Sequence, residues 1–75
     1  MNRLRRQVLA QAKELLARAK SIVERVKDQE EAAIERIPEN LQGSDMVSNM
    51  EDAVSCLEEA MESIETAQEK IDEAS

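Results

Sequence analysis

From Asp45 onward, apolar residues return every three or four positions: Val47, Met50, Val54, Leu57, Met61, Ile64 and Ile71, with Gln68 the one polar interruption. Alternating threes and fours are the heptad spacing, which puts one apolar stripe on one face of a helix. Alanine recurs every seven residues beside that stripe, at Ala53, Ala60, Ala67 and Ala74, so a neighbouring helix can approach closely there. The spacing predicts a helix over about residues 45–74.

The segment over about residues 2–37 is also helical by pattern, but its apolar face is wider. Leu4, Val8, Leu15, Ile22 and Val26 form one row with Ala12, Ala19 and Ala33. Leu9, Leu16 and Val23 form a second row one position further round. At about 100° per residue, the two rows span well over a third of the circumference. Such a face reaches two helices at once. Glu30 stands where the second row would continue, so the face narrows toward the end of the helix.

Between the two patterns lies IPENLQGSDM, residues 37–46, with the only Pro and the only Gly of the chain. Pro38 has no N–H to continue a helix and biases Ile37 away from helical angles. Gly43 offers a permissive backbone, and Ser44 or Asp45 can cap the next helix. Leu41 is left over from these roles and is expected to fold onto the hairpin end near Ile37 and Met46. A connection of about residues 38–44 is ordinary between antiparallel neighbours in bundles. The expected fold is an all-α, antiparallel two-helix hairpin, one domain over residues 1–75.

Charge sharpens this picture. Residues 1–37 carry nine basic and six acidic groups, and residues 38–75 carry one basic and eleven acidic groups, giving −7 in total. Arg6, Lys13, Lys20 and Lys27 recur every seven residues, as do Glu51, Glu58, Glu65 and Asp72. In an antiparallel hairpin these stripes flank the apolar seam and face opposite charge. Read instead as an anion-binding set, Arg3, Arg5, Arg6, Lys13, Lys20 and Lys27 point to nucleic acid or an anionic surface. The acidic whole and the absence of aromatics to stack on bases weigh against nucleic acid.

Composition excludes several classes of chemistry. There is no His and one Cys, so tetrahedral zinc sites and Glu-x-x-His di-iron sites lack their ligands. One Gly rules out a phosphate-binding loop or a dinucleotide fingerprint. Cys56 has Ser55, Asp52, Glu59 and Ala60 around it at helical spacing, with no base or cation to activate it. No cofactor and no enzymatic activity are expected. The longest apolar run is three residues, far short of the roughly twenty that span a bilayer. No apolar segment follows the arginines as a secretory signal requires. A cytoplasmic protein with a reduced thiol is expected.

Below about 70–80 residues a single core rarely supplies more than ~3–5 kcal/mol, and here no aromatic, disulfide or metal adds to it. A homodimer forming a four-helix bundle would cover the wide face. The interface expected within the hairpin sets Val8, Leu15, Ile22 and Val26 against Val54, Leu57, Met61, Ile64 and Ile71. Leu9, Leu16 and Val23 are left for the second interface. The expected function is a scaffold, adaptor or regulator acting by helix–helix association. The alternatives are a nucleic-acid-associated protein, or an acidic decoy for a basic partner.

The loop IPENLQGSDM, followed by MEDAV and LEEAM, resembles a group of small acidic helical-hairpin proteins of Gram-positive gut bacteria and their phages or other mobile elements. The likeness covers roughly residues 28–74 and rests on a Pro-Glu-x-Leu-Gln-x-Ser loop and a repeated Glu-Glu-Ala helix. It implies a mobile-element setting and no particular activity.

Overall fold

Asn2 starts the first helix, its Oδ1 accepting the backbone N–H of Arg5 at 2.8 Å. The computed structural model describes residues 1–75 as α1 (Arg3–Glu35), a single 3₁₀ turn (Glu39–Leu41) and α2 (Asp45–Ala74), with no strand. The two helices pack against each other as an antiparallel hairpin, a rod of 59 × 15 × 11 Å.

Helix α1 ends at Glu35, two residues short of Ile37, and Arg36 and Ile37 close its last turn by donating to the carbonyls of Ala33 and Ile34. Pro38 is extended, at φ −55° and ψ 144°. The chain then makes tight turns, Leu41 N–H to Pro38 O at 2.9 Å and Ser44 N–H to Leu41 O at 3.1 Å. Ser44 caps α2, its Oγ accepting from Val47 N–H at 3.3 Å. Gly43 does not use its conformational freedom: its φ is not positive, and a Cβ there would meet nothing within 4 Å. The loop thus turns without any residue in the left-handed region.

Two expectations about packing are corrected. Leu41 does not close the hairpin end; it is exposed, as is Met46. Val47 does so, and it is the one fully buried residue of the chain. It enters the first turn of α2 on the seam side, where Ile34 and Ile37 are half-buried.

The second correction concerns which row of α1 meets α2. Leu9, Leu16 and Val23 are half-buried against α2, whose Met50, Val54, Leu57, Met61, Ile64 and Ile71 are half-buried too. Leu4, Val8, Leu15, Ile22 and Val26 lie outside this seam, 43% to 71% exposed. The lysine stripe gives the reason. Lys13 follows Leu9 by four positions and precedes Leu16 by three, about 40–60° away on the helix surface. From Val8 it is five positions on, about 140° round. Only the Leu9 row lets the lysines reach the acids of α2 while the leucines face its apolar stripe.

Helix-end charges run against the helix dipoles. Arg3, Arg5 and Arg6 begin α1, which has no acid in its first turn, while α2 ends on Asp72 and Glu73 with no base in its last turn. Each arrangement weakens its own helix by tenths of a kcal/mol per charge. In the hairpin, Asp72 near the end of α2 lies beside Lys13, and the arginines that open α1 overhang the end of α2.

Candidate functional site

Lys13 pairs with Asp72, and Lys20 Nζ lies 2.8 Å from Glu65 Oε1. Each step of seven along α1 is matched by a step of seven back along α2. By the same steps Lys27 stands opposite Glu58, and Glu51 opposite Ile34. Lys27 turns to its own helix, 3.4 Å from Glu31 and 3.8 Å from Asp28. Its side chain is only 19% exposed, so the stem covers the seam.

Both central lysines are held charged beyond their ordinary range. The hydrogen bond to Glu65 is the main cause at Lys20, opposed by burial and aided by the charges of Glu65 and Glu24. Burial pulls Lys27 down, but the hydrogen bond to Glu31 and the charges of Glu31, Asp28 and Glu58 outweigh it. The basic stripe is therefore engaged by carboxylates at Lys13, Lys20 and Lys27. Arg3, Arg5 and Arg6 are exposed and make no ion pair.

The ladder occupies one long side of the rod, and helical spacing sets what lies on the other. Ala12 and Ala19 are about 60° from the Leu9 row on the side away from the lysines. Ala53, Ala60 and Ala67 occupy the corresponding flank of α2, away from Glu58 and Glu65. The two alanine rows form a shallow valley. The exposed Val8, Leu15 and Ile22 ridge rises along its α1 edge. Along its α2 edge stand Asn49, Cys56, Ser63 and Lys70, all exposed.

Acids are confined to one part of α2. None of its ten carboxylates falls in the Met46–Ala53–Ala60–Ala67–Ala74 row or in the Asn49–Cys56–Ser63–Lys70 row. On a chain of net charge −7, this side is apolar on α1, small along the valley and free of negative charge on α2. Three shallow troughs open to solvent lie along the ridge, the smallest, of about 230 Å³, lined by Gln11, Glu14, Leu15 and Arg18. A second, of about 370 Å³, is lined by Met1, Leu4, Arg5, Val8 and Leu9. The third, of about 580 Å³, is lined by Glu14, Ala17, Arg18, Ser21 and Ile22.

No three His, Cys, Asp or Glu side chains converge as a metal-ligand group, Cys56 is a free exposed thiol, and no helix is long and apolar enough to cross a membrane. The residue that sequence reasoning missed is Gln42. Its Nε2 donates to Ile37 O at 2.9 Å, a carbonyl left free past the end of α1, and to Ile34 O at 3.0 Å, which also accepts from Ile37 N–H. Its reach back over the loop leaves no trace in a heptad pattern.

No family model, curated protein or solved structure matches the chain.

Proposed function

We propose that this chain is a non-enzymatic protein–protein interaction module that docks a helical surface on the outer row of α1. One observation carries the reading. Leu4, Val8, Leu15, Ile22 and Val26 stand exposed in a single line, whereas every large aliphatic residue of α2 except Met46 is at least partly covered. Those five side chains leave on the order of 500 Å² open, near the top of the ~300–600 Å² reached by the largest apolar patch of an ordinary monomer. Ridges of this spacing are what a facing helix packs into.

A photo-crosslinking residue at Leu15, in cells that express the chain, tests this, with the same probe at exposed Thr66 as control. Protein adducts from position 15 and none from position 66 are expected. No adduct from position 15 removes the reading. A phosphate-binding role has less support, since Asp72 and Glu65 already hold Lys13 and Lys20.

A further inference from the structure

Resting on that reading, we infer that the occupant of the outer row is a second copy of this chain. Its α1 lies antiparallel on the first about a two-fold axis at Leu15. The row itself has the symmetry this requires. From Leu15, the next aliphatics lie seven residues away on each side, at Val8 and Ile22, and then four more, at Leu4 and Val26. Reversing the helix about Leu15 returns the same ladder. Val8 then meets Ile22 of the second copy, Leu4 meets Val26, and Leu15 meets itself. A two-fold contact of this kind uses one surface twice and closes on itself. Laying the row on α2 of a second copy instead would set these aliphatics against Asn49, Cys56 and Ser63.

The area is sufficient. From Leu4 to Val26 the ridge runs about 33 Å at 1.5 Å per residue. With the flanking Arg18 and Ala19, a seated helix covers roughly 700 Å² on each copy, close to the ~800 Å² per partner of a standard interface.

Charge agrees as well. Glu14 and Arg18 flank the row on its outward side, and the two-fold brings each within about one helical turn of its opposite in the second copy. Leu15 follows Lys13 by two residues, so it is level with Lys70 on α2. The axis at that level lets the acidic helices of the two copies overlap only over residues 66–74. The one cation of α2, Lys70, falls inside that overlap among Glu69, Asp72 and Glu73, and Asp72 is already paired with Lys13. The rest of the acidic helices is held apart.

Sedimentation equilibrium at tens of micromolar is expected to give a species of twice 8.4 kDa. Orientation is read by copper-phenanthroline oxidation in a Cys56→Ser background. Leu15→Cys should link to itself, and Val8→Cys should link to Ile22→Cys in a mixture but not to itself. Self-linking of Val8→Cys, which a parallel pair gives, overturns the arrangement. A species of 8.4 kDa that still yields an adduct from position 15 with another protein overturns the second copy but keeps the interaction reading. A species of 8.4 kDa without any adduct removes both.

Discussion

Lys20 Nζ stands 2.8 Å from a carboxylate oxygen of Glu65, which joins the middles of the two helices on the side opposite the alanine valley. The pair fixes the register as well as the orientation of the hairpin. Exposed ion pairs contribute little to stability on average, so the larger role of this one is to choose which rows meet.

The raised Lys20 and Lys27 set an alkaline limit. A lysine with a folded-state pKa above its ordinary 10.5 contributes stability in full below that value. The contribution disappears as pH rises through the raised value. The melting temperature by circular dichroism is expected to hold between about pH 8 and about pH 10 and to fall above that. Lys20→Met, which keeps an apolar stem, should make the fall smaller; an unchanged fall would mean that Lys20 does not carry it.

Gln42→Ala leaves the carbonyls of Ile34 and Ile37 without their side-chain donor. Part of the loss is recovered from water at this half-buried site, so the expected cost is about 1 kcal/mol. Urea unfolding measures it. A midpoint equal to wild type would show that solvent satisfies both carbonyls equally well.

Val47→Ala removes two methyl groups from the one fully buried side chain, at an expected cost of about 1.5–3 kcal/mol. Leu41→Ser and Met46→Ser, at exposed positions, should stay within about 0.5 kcal/mol. The same unfolding series ranks all three, and a Leu41 effect as large as that of Val47 would restore Leu41 as the residue that closes the hairpin end.

Leu15 and Leu16 are adjacent in sequence but lie on different faces. Leu16→Glu puts a carboxylate into the seam and should unfold the hairpin, seen as a loss of ellipticity at 222 nm. Leu15→Glu should keep the helicity and lower only the sedimenting mass. Equal loss of helix in both variants would contradict the assignment of rows.

Most of the architecture is legible in the sequence. The heptads of α2, the Pro38 break and the Ser44 start correspond directly to what the chain adopts. The choice between the two rows of α1 is harder, because each alone makes an adequate stripe. The deciding signal is also present: only the Leu9–Leu16–Val23 row lies within a lysine's reach of the acidic stripe. It is read by combining charge spacing with hydrophobic spacing, and either alone leaves the face ambiguous. Gln42 belongs to a different class. Its partners become neighbours only after the loop has turned, so no periodicity encodes it.

The reversed charges at the open end of the rod bear on how the molecule comes together. The arginines that open α1 and the acids that close α2 disfavour helix in each segment alone, and helix formation already has a costly nucleus. Pairing sets Lys13 beside Asp72 and Lys20 beside Glu65 and covers the apolar seam, so the two segments should acquire structure in one event, beginning at the Val47 end and zipping toward the termini. Separate peptides of residues 1–36 and 44–75 are therefore expected to be poorly helical in isolation, each showing strongly helical ellipticity only when mixed.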